Sequence, residues 1–383
     1  MALSQSPNRY HNQFPFLMLK EVYEQPEAIA ETIERHVDPE CGAVRLDRSP
    51  FSPSEVAALQ RVTVVASGAS RHAGLCGKII IEDLAGMPVE VEHASEYGYR
   101  RPLNGGGSLV VPITQSGETA DTTAALRIAK ECGFKTLSIS NVVDSTIARE
   151  ADANLFTWAG TEVAIPATKS FTTQLTALYL LALFLADTRS TLTHEQILER
   201  LNALRELPAT LQRMLDRFDR DAERIARDFV QDETFVFLGR GVHYPIALEG
   251  ALKLKEVCYV HAEGYPTGEF RHGPTALIDE SLPVVAIVTR DVRDPESMIR
   301  YEKSVSLLHD IRQLSKRQIL VASEDDSDLQ KLAVPSFLLP PMDELLLPIL
   351  EIVPLQFLAY HVAVLKGLNV DRPRNLVKSV TVD

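Results

Sequence analysis

The sequence has little cysteine. Its 383 residues hold four cysteines, Cys41, Cys76, Cys132 and Cys258, widely spaced and without a C-x-x-C pair, which leaves zinc and dithiol chemistry unsupported. No metal site and no cofactor are expected. Neither the G-x-x-x-x-G-K-[ST] loop nor the G-x-G-x-x-G fingerprint occurs, which argues against nucleotides. Basic residues are outnumbered, 39 against 52 acidic, and the net charge of −13 disfavours nucleic acid and anionic membranes as partners. The start, MALSQSPNRYHNQ, lacks a charged n-region and an apolar h-region, so secretion is not indicated and the compartment reads as cytoplasmic. The longest apolar run, Leu175 to Ala186, falls short of the roughly 20 residues of a membrane span and suits a buried helix.

What is present is the composition of a globular protein, 45% hydrophobic and 24% charged, long enough for two or three domains. RVTVVASGAS, SLVVPITQSGETADT and FKTLSISNVVDST each run from a continuous apolar stretch into small hydroxylic residues, the pattern of strands buried on both faces in a parallel α/β sheet. An internal repeat accompanies it. VVASGAS at 64–70 aligns with FLGRGVH at 237–243, and at the same offset of 173 residues Glu96 meets Glu269, so two α/β domains of one fold are expected. The expected boundaries are an N-terminal helical arm over 1–49, a first domain over 50–189, a connector of helices over 190–230, a second domain over 231–352, and a C-terminal helix and tail over 353–383. Within the arm, Pro26 suits a helix start.

Four groups of residues can carry chemistry. Thr114-Gln115-Ser116-Gly117-Glu118-Thr119 lies at a strand's carboxyl end where a helix begins, and backbone N–H groups, helix dipole and hydroxyls there favour a phosphate; Ser67 and Ser70 stand at an equivalent strand end. The plain alternative is that these hydroxyls only cap helices. Glu249, Lys253 and Glu256 share one helical face, either as a solvated surface or as a tuned acid–base group. His272, in FRHGP, sits in a turn, either exposed or facing a cleft. Lys378 lies in a locally basic tail with Arg372 and Arg374; it is either solvated or an amine that forms a Schiff base in a closed site.

With these residues in view, the chain resembles the sugar-isomerase (SIS) superfamily, and within it the isomerase half of the glutamine–fructose-6-phosphate aminotransferases. QSGETADT, GTEVA followed by TKSFTTQL, GRGVHYPIALEGALKLKE, HGPTALID and the tail RNLVKSVTVD carry the likeness over nearly the whole chain. It implies two tandem flavodoxin-like SIS domains, each a mainly parallel sheet flanked by helices, plus a C-terminal tail, assembled as a homodimer on a small-molecule sugar phosphate. By the same resemblance Ser70, Thr114, Gln115, Ser116 and Thr119 hold the phosphate, while Ser67, Gly68, Ala69, Ile165 and Val377 line the sugar. Glu256 moves the proton between C1 and C2 with help from Lys253, His272 of a neighbouring subunit opens the ring, and Lys378 forms the Schiff base.

Ser67, Ala69, Thr114 and Pro166-Ala167 depart from the family pattern, which has Cys, Thr, Ser and Ala-Ser there. From a start at Met-Ala-Leu the glutaminase domain with its N-terminal cysteine is expected to be missing, with ammonia expected from solution or a separate source. The expected activity is interconversion of fructose 6-phosphate plus ammonia with glucosamine 6-phosphate, as a glutaminase-independent deaminase or as an isomerase. The alternatives are a deglycase of amino-acid sugar-phosphate conjugates and a non-catalytic sugar-phosphate sensor.

Overall fold

The computed structural model describes residues 14–99 and 107–381; the polar start at 1–13, read above for a leader, lies outside them. The arm forms α1 (Leu17–Tyr23) and α2 (Gln25–His36), with Pro26 in the first turn of α2, where a missing N–H costs nothing. A capping box between Ser52 and Glu55 starts α3 (Pro53–Ala57). The first sheet unit runs through β1 (Arg61–Ala66), α4 (Gly68–Ala85), β2 (Val89–His93), α5 (Ala94–Tyr97), β3 (Ser108–Thr114), α6 (Ala120–Glu131), β4 (Lys135–Ser140), α7 (Thr146–Glu150), β5 (Ala153–Phe156) and α8 (Lys169–Arg189). After α9 (His194–Phe229), the second unit runs through β6 (Thr234–Gly239), α10 (Tyr244–Cys258), β7 (His261–Pro266), β8 (Val284–Val288), α11 (Pro295–Leu314), β9 (Gln318–Ser323), α12 (Ser327–Gln330), β10 (Ser336–Leu339) and α13 (Leu347–Leu365).

Each unit carries a five-stranded sheet, in the orders β2-β1-β3-β4-β5 and β7-β6-β8-β9-β10. Every ladder is parallel. The two orders are the same, and β6 starts and ends 173 residues after β1, so the sequence repeat marks a duplicated α/β fold. The central strands are buried throughout because helices cover both faces, which is why β3 reads as an unbroken apolar run. Pro112 within β3 has no N–H to give, and the β3–β4 ladder passes from Val110↔Thr136 to Ile113↔Ile139 across that gap.

Three helices differ from a reading of local pattern. The connector is one 36-residue helix rather than several: Ile197, Leu201, Leu204, Leu207, Leu211 and Leu215 make a continuous buried stripe that carries α9 through Pro208. The last helix begins at Leu347, and Pro354 lies inside it. The run from Leu175 belongs to the 21-residue α8, and α8 and α13 are both long and apolar enough to cross a bilayer, but 83% and 89% of their apolar windows are buried inside the fold. They are the helices around which the two units pack.

Candidate functional site

The carboxyl ends of β1 and β3 flank the point where the strand order reverses, the place at which open α/β sheets leave a crevice. A cavity of about 180 Å³ opens there. After β1, Ser67, Ala69 and Ser70 line it, and Gly68, at φ +52°, makes the left-handed turn into α4 without itself facing the cavity. Ser70 Oγ accepts from Gln174 Nε2 at 3.0 Å. After β3, Thr114, Gln115, Ser116 and Thr119 face inward beside the N-terminus of α6. The Thr114 and Thr119 hydroxyls are 2.8 Å apart, and Ser116 Oγ accepts from the Glu118 N–H at 3.1 Å. Gly117, at φ +70°, is required here, because a Cβ on it would stand 2.0 Å from Ser145 Oγ.

The C-terminal tail closes this crevice. Residues 367–381 form no helix or strand, yet they are tied down at several points. The Asp371 carboxylate accepts from the N–H groups of Leu17 and Met18, its carbonyl accepts from the Ile165 N–H, the Arg374 N–H donates to Tyr259 Oη, and the Ala120 N–H donates to the Val380 carbonyl. Ser379 Oγ lies 2.9 Å from Ser116 Oγ. Leu376, Val377 and Lys378 thereby line the cavity opposite the hydroxyl loops, next to Ile165 and Ala167.

Lys378 Nζ donates to Glu162 Oε2 at 2.5 Å and to the Ala164 carbonyl at 2.7 Å, so the amine is not a solvated surface group. Glu162 is fully buried; it also accepts from the N–H groups of Thr168 and Ser170 and from Ser170 Oγ. Burial alone would raise its carboxyl, but Lys378 and these donors at the start of α8 hold it below the ordinary carboxylate range. Glu21 of α1 braces the same loop by accepting from the Val163 and Ala164 N–H groups; burial, then the Glu162 charge, pushes its carboxyl up to about 7.

From the second unit, α10 brings Glu256 to the cavity wall. Lys253 stands behind it, outside the cavity lining, 2.5 Å from Glu256 Oε2 and 3.1 Å from Glu249 Oε1. His72 of α4 completes the row, with Nδ1 2.8 Å from Glu249 Oε2. Glu249 and Lys253 are 0% exposed, so this helical face is an interior charge array, not a solvated surface. Burial would lower the Lys253 ammonium, but Glu249 and then Glu256 hold it above its ordinary value.

His272 is not brought to this crevice. It is exposed and lines a separate cleft of the second unit with Arg240, Thr267 and Lys303. The second unit's own strand ends offer no equivalent crevice at the residue that aligns with Ser70. That residue is His243, buried with Nδ1 2.8 Å from Glu351 and Nε2 3.1 Å from Glu344, which also pairs with Arg300. Among the described residues no His, Cys, Asp and Glu group could hold a metal ion.

Glu21 and His72 lie outside every motif, and Glu162 lies within GTEVA without a role that the motif assigns. Glu162 had one local signal, a carboxylate a few residues ahead of the α8 N-terminus, where orphan N–H groups attract it.

Comparison with known proteins identifies the family and the fold. The model of the SIS domain matches residues 57–184 and 228–366. A glutamine–fructose-6-phosphate aminotransferase (isomerizing) of Gloeobacter violaceus is 46% identical over 370 residues, covering 97% of this chain and 59% of that protein. Its counterpart in Methanosarcina acetivorans is 45% identical with the same coverage, so the chain spans about three fifths of these relatives' length. The C-terminal domain of glucosamine-fructose-6-phosphate aminotransferase from Francisella tularensis superposes with a TM-score of 0.87 at 37% identity, covering 94% of this chain and 99% of that one. A glucosamine-6-phosphate deaminase of Thermotoga maritima has the same fold, with a TM-score of 0.70 at 23% identity over 95% of this chain and 99% of that one.

Proposed function

The chain belongs to the SIS-domain family, and we propose that it interconverts glucosamine 6-phosphate with fructose 6-phosphate and ammonia, as a deaminase or as an isomerase. One observation carries this reading: a lysine amine from the C-terminal tail and a carboxylate from α10, Lys378 and Glu256, line the same crevice as two hydroxyl-bearing loops of the first unit. Ser70, Ser116, Thr119 and the α6 N-terminus bind the phosphate, and Thr114 and Gln115 complete that cradle. Ser67, Ala69, Ile165 and Val377 flank the sugar carbons.

Starting from the ketose, Lys378 attacks C2 of the open-chain sugar, and water leaves as the imine forms. Ammonia exchanges with the lysine to give the C2 imine. Glu256 then takes a proton from C1 and returns one to C2, so that C1 becomes the aldehyde and C2 carries the amine. Deamination runs these steps backwards: after the proton transfer Lys378 displaces ammonia from the C2 imine, and water then hydrolyses the lysine imine to free fructose 6-phosphate. Glu256 and Lys378 are 22% and 25% exposed, which supports entry and exit of ammonia through solvent. Ring opening falls to His272 of a second copy in a homodimer, because within one protomer this imidazole faces elsewhere. Such a protein works in the cytoplasm, where its phosphorylated substrate is made.

The small side chains of Ala69 and Ala167 on the cavity wall favour a second reading, cleavage of a sugar phosphate carrying a larger amine. Proton NMR of the protein with glucosamine 6-phosphate separates the two. Loss of the amino sugar with growth of fructose 6-phosphate and ammonia supports the first; an unchanged spectrum with turnover of a fructosyl amino acid 6-phosphate supports the second. Glu256→Gln should abolish turnover. If Lys378→Ala left it intact, the Schiff-base role would fail while the proton-transfer role stood.

A further inference from the structure

The cleft that holds His272 is the larger cavity, about 440 Å³, and its chemistry is opposite to that of the chain as a whole. Arg240 follows β6, Thr267 and Arg271 follow β7, and Lys303 and Ser306 project from α11, so three cations meet in a protein of net charge −13. Asp310 neutralises Arg271 at 2.6 Å, and Glu302 is the one carboxylate among the described lining residues. Among the described residues no carboxylate pairs with Arg240 or Lys303; burial and the neighbouring Arg271 both pull the Arg240 guanidinium below its ordinary value.

Two donors in this wall are unspent. Thr267 is 3% exposed and its Oγ1 has no hydrogen-bond partner, and the buried Nε of Arg240 has none either. An orphaned buried polar group costs free energy unless something fills the place. Gly268 keeps the place open, since a Cβ there would come within 3.3 Å of the Arg240 guanidinium. Guanidinium, hydroxyl and ammonium converging on one cleft are the donor set of a phosphate site, and the volume admits a phosphorylated small molecule.

We propose that Arg240, Thr267 and Lys303 form a second anion site, for a phosphomonoester, separate from the hydroxyl crevice of the first unit. Its ligand would fix the 267–272 loop on which His272 stands, which makes the site suited to an effector.

The test is calorimetric titration of the whole protein with inorganic phosphate. Wild type should bind two ions per chain, Ser116→Ala/Thr119→Ala should keep the second-unit site, and Arg240→Gln/Lys303→Gln should keep only the first. Loss of two charge-assisted donors should weaken the second site by about tenfold or more. Thr267→Val, which keeps the charge, should weaken it too and serves if the double variant fails to fold. One ion per chain in wild type, unaffected by Arg240→Gln/Lys303→Gln, would overturn the proposal, as would two ions bound equally by wild type and that variant. Failure of the first crevice would register separately, as an unchanged profile in Ser116→Ala/Thr119→Ala.

Discussion

Lys378 and Glu162, 216 residues apart, meet at 2.5 Å beneath the crevice, and the pair joins an irregular tail to the N-terminus of a core helix. The amine is aimed by the carboxylate, and the carboxylate is held by the helix.

Glu162→Gln tests that aim. The amide oxygen can still accept from the Thr168 and Ser170 N–H groups, but the amide nitrogen turns a donor towards Lys378. Turnover should fall by about tenfold or more while the KM for sugar phosphate stays within about twofold. Melting should show a loss of about 1–3 kcal/mol, since Lys378 can recover water. Steady-state kinetics with an unchanged kcat would dismiss the positioning role.

His72, next to the first hydroxyl loop, ties α4 to the buried charge array of α10. His72→Ala should leave the buried Glu249 short of a donor and lower kcat by about tenfold, with KM little changed. His72→Asn can place an amide N–H where Nδ1 stood and should restore most of the rate. If the Asn and Ala variants were equally slow, the hydrogen bond would not be the cause.

Gly117→Ala places a methyl group on Ser145 in a left-handed residue. The loop must shift, so stability should drop by about 1–3 kcal/mol, and the KM for sugar phosphate should rise more than kcat falls. Denaturant unfolding and kinetics on the same sample check both.

His243 gives a pH signature. Burial would lower its imidazole, but Glu351 and Glu344 raise it to about 10. A base raised in the folded state stabilises fully below its unfolded value near 6.5 and loses that contribution as pH climbs to about 10. Tm should therefore decline across that window, and Glu351→Gln should move the decline to lower pH. A flat Tm between pH 7 and 10 would exclude the assignment.

Much of this was legible because local chemistry wrote it. Apolar runs ending in hydroxylic loops predict β1, β3 and their crevice, and the constant offset between Gly68 and Gly241 predicts the duplicated sheet. What stayed hidden depends on chain segments that meet only after folding. Spacing alone leaves Lys253 and Glu249 on a surface or in an interior; the packing of α10 against α4, with His72 on Glu249, buries them. Glu162 gains its meaning from a lysine at the far end of the chain, and α9 passes Pro208 because its apolar stripe is anchored on both sides.

The duplication has ended in a division of labour. One copy kept an open crevice and the hydroxyl loops; the other filled the matching spot with His243 and two carboxylates and lends a helix instead. On the proposed mechanism neither copy alone completes a turnover, and loosening the seam between α4 and α10 is expected to leave a protein that captures its sugar and then waits.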